Sequence, residues 1–502
     1  MNAAERLSVS ADRTIVKGGL VLDLVESSPD GAVRADILIE GAQIKAVGGA
    51  INAGAGDCVI DASDRIVLPG LVNAHLHSWE ALFRGRYENL PLELWGLYAY
   101  PFLPIEPLPP RLIELRTLLV AIESLKNGVT SVLDDVMQVP GQEIDGLTAV
   151  FRAYGQAGIR ANVSLRMVDR SWLDTIPFAK ELLPAHLWTY ATRRVPSTAA
   201  YYREVCEAAF SHLHRPAEGV RYVVAPSAPQ RCTPALLEES AEMARVHDTA
   251  FHIHVLETKL QAVAGKMFFG KTPIAYLDDL GVLSNRATLA HTIWLSERDI
   301  EIIALANATV VHNPVSNLKL GSGVFPYAKL HDAGIHIALG TDGVASNDSV
   351  RMFDVMKYAA LLHTVSDPDF EKWPRALDIL SAATRVGARS VALSDIGTIA
   401  PGQKADLILL DLNALAFVPM NNLARHLVYC ENGSSVRTVL VDGRVVVADG
   451  QCTRVNEREV IGEVRDLGAE FLRRHSATER EHSAYEPFFR AIYERCMRES
   501  LD

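Results

Sequence analysis

Cysteine is sparse in this sequence, and long apolar runs and an excess of basic residues are lacking. The six cysteines stand singly and form no C-x-x-C pair, which argues against a disulfide framework and favours a reducing cytoplasm. No apolar run is long enough to span a bilayer, and the first residues lack the apolar stretch of a secretory signal. With 49 basic against 61 acidic residues the net charge is -12, so neither nucleic acid nor an anionic membrane is expected as a partner.

The length and composition are typical of a globular enzyme with more than one domain. A chain of 502 residues is too long for one simple core, so one large domain and a smaller one are expected. The 49% hydrophobic and 22% charged fractions are ordinary for a soluble protein. We therefore expect a cytoplasmic protein that acts on a small molecule, and we expect it to form a homo-oligomer.

Both ends of the chain have the pattern of β-strands. Short β-branched runs punctuated by glycine and aspartate occur early, as in TIVKGGLVLDLV, and return late in VRTVLVDGRVVVADG. Two such ends around a different middle predict that they pair into one small β-sandwich, built from residues 1–68 and 395–452. The last residues, 453–502, are charged and helix-like, and we expect this tail to dock on the large domain or on a second subunit.

The middle of the chain, residues 69–394, alternates short apolar runs with helical stretches. Such alternation implies an α/β fold with a parallel sheet, and eight units fit a distorted (β/α)8 TIM barrel. Residues 170–202 are too many for a plain loop, and we expect them either to cap the substrate or only to pack. The eight runs are LVNAHLHS, GVTSVLDD, GIRANVSLRM, VRYVVAPSAPQ, TAFHIHVLET, ATLAHTIWL, ATVVHNPVSN and IHIALGTDG.

Five polar residues at the carboxyl ends of these runs have the chemistry of one metal site. Barrel enzymes keep their active sites at that end of the sheet. Imidazole nitrogens and a carboxylate suit a divalent first-row metal, and an H-x-H pair shares one side of a strand because side chains alternate. Such an ion lowers the pKa of its water towards ~7, which gives a hydroxide that can attack a carbon atom. The five residues are His75, His77, His254, His291 and Asp342.

Two further histidines near these strand ends are expected to have other roles. His252 and His254 form a second H-x-H pair, and only one of them can lie in the same layer as the metal. The residue nearer the strand end is the better ligand, so His252 is interpreted as a buried core histidine. His312, in VVHNP, is interpreted as structural or as a neighbour of the ligands.

Five motifs together resemble the amidohydrolase superfamily, and within it the branch of cytosine and S-adenosylhomocysteine deaminases and triazine hydrolases. The resemblance covers about residues 15–450, and the motifs stand in the family's order. It implies a distorted (β/α)8 barrel with a small β-sandwich made from both termini. The motifs are LPGLVNAHLH, HVLET, AHTIWLSERDI, VVHNPVSNLKLGSG and GTDGVASND.

The resemblance also implies a role for each site residue. It makes Glu257 the proton shuttle and leaves His291 to orient the hydroxide. The chemistry agrees, because a protonated carboxyl can donate to the leaving nitrogen of a C–N bond and Asp342 can accept a proton from the water. The alternatives are a surface glutamate at a helix start and a structural histidine. The implied metal ligands are His75, His77, His254 and Asp342.

The fourth run indicates how many ions are bound. Members of the superfamily with two ions bridge them with a modified lysine at the end of the fourth strand. Here that strand ends Ala225-Pro226-Ser227, without a lysine, so one divalent ion is implied. Zinc is the default, and Fe2+ or Co2+ would fit the same ligands.

Departures from the family pattern bear on the substrate. Ser227 stands where adenosine-type deaminases carry a histidine that helps to hold the purine, which argues against that substrate, and Gln230 can read an amide or a ring nitrogen instead. Trp79 suits a flat or apolar group and Glu80 can take an N–H donor, although both residues can also serve packing. Asn317 is predicted to contact the substrate as well.

The expected function is metal-dependent hydrolysis of a non-peptide C–N bond in a small, cyclic nitrogen compound, with release of ammonia or an amine. The nearest alternative keeps the site but cleaves an amide, an aryl urea or a (thio)carbamate. A more remote alternative is a non-catalytic scaffold, which would be expected to lose metal ligands, whereas this chain keeps all of them.

Overall fold

The structure is a computed structural model, and it describes residues 12–22, 32–100, 102–103, 107–137, 144–193 and 196–501. Its strands are β1 (Arg13–Leu22), β2 (Ala32–Glu40), β3 (Gln43–Gly48), β4 (Cys58–Asp61), β5 (Arg65–Pro69), β6 (Leu71–His77), β7 (Val129–Val136), β8 (Arg160–Met167), β9 (Val220–Pro226), β10 (Phe251–Val255), β11 (Ala287–His291), β12 (Thr309–His312), β13 (His336–Leu339), β14 (Asp342–Gly343), β15 (Leu407–Asp411), β16 (Val436–Val441), β17 (Arg444–Ala448) and β18 (Gln451–Cys452).

Helices connect the strands and form the C-terminal tail. The α-helices are α1 (Leu92–Ala99), α2 (Pro110–Lys126), α3 (Ile144–Ala157), α4 (Ala179–Leu182), α5 (Ala185–Ala191), α6 (Ala199–His212), α7 (Pro234–Val246), α8 (Lys259–Phe269), α9 (Pro273–Asp279), α10 (Glu297–Ala306), α11 (Pro314–Lys319), α12 (Tyr327–Asp332), α13 (Met352–Ser366), α14 (Ala376–Ala382), α15 (Arg385–Ser390), α16 (Leu423–Arg425), α17 (Glu457–His482) and α18 (Glu486–Arg498). Short 3-10 turns include Ser78–Phe83, Leu173–Thr175 and Pro229–Arg231.

Strands β6 to β13 form a parallel sheet in chain order. The eighth run is divided by Gly340 and Thr341 into β13, which pairs with β12, and β14, which pairs with β6. The sheet therefore closes on itself, and all eight runs that the sequence predicts as barrel strands take part. Strands β6 to β9 are buried along their whole length, as expected for a parallel sheet covered by helices. The predicted (β/α)8 barrel is confirmed.

The remaining strands, β1–β5 and β15–β18, form a second sheet from both ends of the chain. The two ends join where β5 runs antiparallel to β15, with Pro69 opposite Leu407 and Ile66 opposite Leu410. Apolar residues of both halves share one core, so the predicted small β-domain from both termini is confirmed, and its strands form one continuous sheet. The bounds predicted for the four parts of the chain, 1–68, 69–394, 395–452 and 453–502, stay a prediction.

A buried ion-pair cluster joins the barrel to the second sheet. Arg160, at the start of β8, has 2% of its side chain exposed, and its Nη2 lies 3.0 Å from Asp406 Oδ1 and 2.7 Å from Asp442 Oδ1. Its Nε also donates to Asp406 Oδ2, at 3.2 Å. Asp406 precedes β15 and Asp442 follows β16, so one guanidinium fixes two strands of the sheet to the barrel.

The C-terminal tail docks on the barrel's own loops. Tyr485 and Phe489 are buried in an apolar cluster with Leu94 and Leu97 of α1 and with Leu260 of α8. The sequence left open whether the tail docks on the large domain or on a second subunit, and in the structure it docks on the large domain. Among the described residues, no helix is both long and apolar enough to cross a membrane.

Candidate active site

The residues predicted as metal ligands meet at the carboxyl mouth of the barrel. His75 and His77 lie in β6, His254 lies in β10, His291 ends β11, and Asp342 begins β14. Each has only 0% to 7% of its surface exposed. Because the barrel strands are parallel, their carboxyl ends all lie at the same end of the barrel. The sequence could therefore predict that these five side chains lie close together.

Left-handed backbone shapes the ends of three of these strands. Asp342 has a φ of 62°, His291 a φ of 77° and Thr292 a φ of 46°, and Leu256, just after β10, has a φ of 53°. A non-glycine residue in this region costs ~1–3 kcal/mol, and such residues cluster at functional sites. The backbone at these strand ends therefore accepts a cost in stability, and in return it directs the side chains towards the site.

The inner atoms of the ligands have the spacing of donors around one ion. His75 Nε2 and His77 Nε2 lie 3.3 and 3.2 Å from Asp342 Oδ1, and His254 Nε2 lies 3.3 Å from His77 Nε2. Donors on a tetrahedral ion with bonds of ~2.1 Å are ~3.4 Å apart. His291, with His75 and Asp342, forms a second group whose candidate atoms all lie within 4.8 Å of one another. The residues therefore fit a divalent metal ion.

Backbone carbonyls orient two of the imidazoles. His77 Nδ1 donates to the carbonyl of Asp135 at 2.8 Å, and His254 Nδ1 donates to the carbonyl of Ser227 at 2.9 Å. A proton held at Nδ1 leaves the Nε2 lone pair for an ion, which is the usual arrangement of metal-binding histidines. The outer contacts thus fix both the ring orientation and the tautomer.

Side chains orient the other two imidazoles. His291 Nδ1 donates to Asn317 Oδ1 at 3.0 Å, and His75 Nδ1 lies 2.9 Å from His252 Nε2. The Nε2 atoms of His75 and His291 are buried without a hydrogen-bond partner among the described residues, as expected of atoms that await an ion or a substrate. His252 is buried, and its contact with His75 gives it an orienting role that the sequence did not indicate.

Burial favours the neutral imidazole, the form that binds a metal. Burial lowers the pKa of His75 to about 4 and holds the pKa of His254 well below its usual value. Burial also acts to lower the pKa of His77, but the contact with Asp342 raises this pKa overall. For Asp342, burial acts to raise the pKa, but the close contacts with His75 and His77 outweigh burial and hold the pKa well below its usual value. The centre therefore contains an ionised carboxylate beside the imidazoles.

Arg166 is a neighbour of the ligands that the sequence reasoning missed. Its Nη2 lies 2.9 Å from His77 Nε2 and 3.4 Å from His254 Nε2. The guanidinium is held by Asp135 Oδ2, at 2.9 Å from Nε, and by the hydroxyl of Tyr100, at 2.6 Å from Nη1. An ion on His77 Nε2 would replace the hydrogen bond from Arg166. The signal was present, since Arg166 also stands near the carboxyl end of a barrel strand.

Three residues predicted to handle protons lie together. His291 Nε2 lies 3.9 Å from Glu257 Oε2 and 3.8 Å from Asp342 Oδ2, and Ser316 Oγ donates to Asp342 Oδ2 at 2.5 Å. Glu257 is 7% exposed, so it is not a surface glutamate at a helix start. Burial raises the pKa of Glu257, which favours the protonated form that a general acid needs.

A cavity of about 110 Å³ opens onto this centre. Residues lining it include His77, His254, Glu257, His291 and Asp342 from the centre. Of the residues predicted to contact a substrate, Glu80, Ser227 and Gln230 line the cavity.

Glu80 and Gln230 offer unsatisfied oxygens at the cavity. Glu80 Oε2 accepts from the backbone N–H of Ala345 at 3.0 Å, whereas its Oε1 has no partner among the described residues. Gln230 Oε1 is likewise buried and unpartnered. Burial raises the pKa of Glu80 to about 7. Both side chains are placed to read N–H groups of a bound molecule, and that role stays a prediction.

Trp79 and Asn317 do not line the cavity. Trp79 is 4% exposed and packs in an apolar cluster with Phe83 and Trp95, and its ring centroid lies 4.7 Å from that of Tyr100. Asn317 contacts His291, as described above. Their contacts with a substrate stay predictions, while packing for Trp79 agrees with the alternative left open by the sequence.

His312 lies in a structural environment, as the sequence predicted. Its ring stacks on Phe325, with centroids 4.3 Å apart, and its Nε2 lies 3.3 Å from His363 Nε2.

The stretch 170–202 contributes to the wall of the cavity. Trp172, near the start of the stretch, lines the cavity together with Thr175 and Ile176. Helices α4 and α5 of the same stretch pack against α18 and other apolar neighbours. The stretch therefore both caps the cavity and packs.

The chain is similar over most of its length to two archaeal deaminases. It is 36% identical to a 5'-deoxyadenosine deaminase of Methanothermobacter thermautotrophicus, over 86% of this chain and 93% of the relative. It is 37% identical to a 5-methylthioadenosine/S-adenosylhomocysteine deaminase of Thermococcus kodakarensis, over 83% of this chain and 90% of the relative.

Solved structures show the same architecture. A zinc-bound adenosine deaminase of Xanthomonas campestris superposes with a TM-score of 0.78 at 26% identity, over 91% of this chain and 98% of the other. An atrazine chlorohydrolase of Arthrobacter aurescens, complexed with zinc, superposes with a TM-score of 0.80 at 26% identity, over 91% and 100%. Residues 66–446 match the Amidohydrolase family. The chain belongs to the amidohydrolase family, as a metal-dependent hydrolase of C–N bonds other than peptide bonds.

Proposed function

We propose that this enzyme is an aminohydrolase that removes the exocyclic amino group of an adenosine-type nucleoside as ammonia, with one zinc ion per chain. The observation that carries the proposal is the placing of Glu257 beside His291, 3.9 Å apart, at the edge of the ligand cluster and facing the cavity. The names of the two sequence relatives described above, both deaminases of adenosine-type nucleosides, support the substrate class.

The proposed ion is held by His75, His77, His254 and Asp342. Zinc supplies Lewis acidity, which activates water as a nucleophile at neutral pH, and Fe2+ or Co2+ would serve the same ligands. The absence of a lysine at the end of β9, which finishes Ala225-Pro226, supports a single ion.

The side chains of this chain divide the proton transfers among themselves. Asp342 is ionised and accepts a proton from the attacking water, and Ser316 fixes the orientation of its carboxylate. His291 directs its Nε2 towards the same space because its Nδ1 donates a hydrogen bond to Asn317 Oδ1. Glu257, with its raised pKa, donates to the leaving nitrogen, since an amine leaves poorly unless it is protonated.

A second candidate is favoured by Ser227. The serine lines the cavity at a position where a histidine would help to hold a purine, and its hydroxyl is too short to replace an imidazole. An amide, aryl urea or (thio)carbamate would need no such contact. For an adenosine-type substrate, the side-chain N–H of Gln230 can donate to a ring nitrogen and so supply the missing polar contact.

A substrate panel separates the two candidates. Metal-loaded enzyme is assayed for ammonia with adenosine, 5'-deoxyadenosine and 5'-methylthioadenosine, and for amine release with aryl ureas and carbamates. We expect ammonia from at least one nucleoside and no amine from the ureas. Amine release without nucleoside turnover would establish the second candidate instead. The cytoplasmic location and the homo-oligomeric state stay predictions.

A further inference from the structure

Arg231 is a cation at the cavity with no ion-pair or hydrogen-bond partner in the part of the chain that the structure describes. It ends the 3-10 turn Pro229–Arg231 after β9, is half-buried, and lines the same cavity as Glu257 and His291. Within the described residues its guanidinium forms neither an ion pair nor a hydrogen bond, whereas the neighbouring Arg166 is tied to Asp135. An unpaired cation withdrawn from water is costly unless a ligand completes it.

The guanidinium of Arg231 is positioned on an aromatic face. Its central carbon lies 5.7 Å from the ring centroid of Trp172, within the range of a cation–π contact. Trp172 in turn stacks on Phe489 of the C-terminal tail, with centroids 5.1 Å apart and planes at 18°. It also contacts the tilted ring of Phe102, with centroids 4.6 Å apart. The stretch 170–202 and the tail thus combine to fix one cation at the cavity.

Each of the four carboxyl groups that line the cavity contacts a group other than Arg231, and Glu257 Oε2 lies 3.9 Å from His291 Nε2. Glu93 Oε1 accepts from Thr258 Oγ1 at 2.6 Å, Glu80 accepts from a backbone N–H, and Asp342 contacts the histidines of the metal centre. Among the described residues none of these groups lies within 4.0 Å of a nitrogen of Arg231, the limit for an ion pair. Burial lowers the pKa of Arg231 only to about 10, so it stays charged at neutral pH.

We propose that Arg231, held on Trp172, binds an oxyanion of the substrate and so makes the enzyme selective for adenosine-type nucleosides that carry a carboxylate or a phosphate. The proposal rests on the proposed function. A guanidinium presents paired N–H donors that match the two oxygens of either group, and these charge-assisted bonds are stronger than neutral ones. The nitrogen base lies at the ligand cluster, and the anionic substituent lies at Arg231.

The test compares two substrates that differ only in charge. Adenosine-5'-carboxylic acid and its primary amide have the same shape, so the ratio of their kcat/KM values measures recognition of the negative charge alone. Adenosine 5'-monophosphate then shows whether a phosphate is preferred over a carboxylate. We expect wild type to prefer the acid, the phosphate or both over the amide by about 10- to 100-fold, the range of a hydrogen bond to a charged group. Arg231→Gln should abolish this preference, so that acid and amide are turned over with equal kcat/KM.

Control variants distinguish reading of an anion from structural damage. Arg203→Gln removes an exposed cation of α6, paired with Glu239, and should keep the preference. Trp172→Leu should lower the acid-to-amide ratio because Arg231 loses its support, whereas Trp172→Phe should keep most of it.

Three outcomes would overturn the proposal. In the first, wild type turns over acid, phosphate and amide equally well. In the second, Arg231→Gln lowers kcat/KM for all three substrates by the same factor, which would mean that Arg231 contacts the common nucleoside part rather than the anion. The third outcome is release of ammonia from no adenosine compound at all, neutral 5'-deoxyadenosine included. In that case the proposed function fails and this proposal fails with it.

Discussion

His291 Nε2 lies 3.9 Å from Glu257 Oε2, on the cavity side of the metal centre. The same nitrogen lies 3.8 Å from Asp342 Oδ2. One imidazole nitrogen is therefore close to two carboxyl groups. Burial raises the pKa of Glu257, whereas the histidine contacts hold the pKa of Asp342 low. Two carboxyl groups with opposite shifts are the usual mark of an acid and a base in one site.

The first prediction concerns Glu257→Gln, which keeps size and hydrogen bonding but removes the acidic proton. We expect kcat for ammonia release to fall by ~10²–10⁴-fold, because a positioned general acid contributes that much. KM should change far less, since the proton matters mainly in the transition state. Elemental analysis should show the metal content of wild type, because Glu257 is not a ligand.

A matched control and a second substrate sharpen the Glu257 test. Glu204→Gln alters an exposed glutamate of α6 and should leave kcat unchanged. With a 6-chloropurine nucleoside as substrate, Glu257→Gln should lower kcat much less than it does with adenosine, because chloride leaves without being protonated. Near-full ammonia release by Glu257→Gln would show that another group protonates the leaving nitrogen.

The second prediction concerns Asn317, which accepts the Nδ1 proton of His291. Asn317→Leu removes the acceptor and frees the ring to rotate, so kcat should fall by about 10- to 100-fold, as for other outer partners of such histidines. Asn317→Asp keeps an acceptor oxygen and should retain more activity than the leucine variant. Steady-state kinetics of both variants check this order, and equal losses would refute an orienting role.

The third prediction concerns the link between the barrel and the second sheet. Arg160→Met leaves Asp406 buried without its cation, so we expect the free energy of unfolding to fall by about 3–5 kcal/mol. Arg203→Met breaks an exposed pair and should cost about 0–1 kcal/mol. Urea unfolding of metal-loaded protein, followed by two coincident probes, measures both. A loss for Arg160→Met no larger than that of the control would contradict a supporting role for the cluster.

Much of the fold and of the metal centre could be predicted because the relevant signals are local. Each barrel strand is one short apolar run, and each proposed ligand lies in or directly after such a run, as His254 does in FHIHV. Parallel strands bring their carboxyl ends together whatever the loops do. Five residues far apart in the chain could therefore be placed at one mouth without any knowledge of the packing.

The cavity could be predicted only in part, because its walls come from loops whose paths the sequence does not determine. Trp79 and Glu80 are neighbours, yet the 3-10 turn Ser78–Phe83 directs Glu80 to the cavity and Trp79 into an apolar cluster. The sequence did not single out Arg231, next to Gln230, because its position at the cavity depends on contacts with Trp172 and, through Trp172, with the C-terminal tail. Contacts between distant segments of this kind leave no periodic pattern to read.

The most direct test of the central claim is a zinc titration of ammonia release. The enzyme is stripped with a chelator, and its deamination of an adenosine-type nucleoside is measured as zinc is added back. We predict no turnover without metal, a linear return of activity, and a plateau at one ion per chain, because His75, His77, His254 and Asp342 form one ligand set. Full turnover by the stripped enzyme, or a plateau only at two ions per chain, would contradict the account.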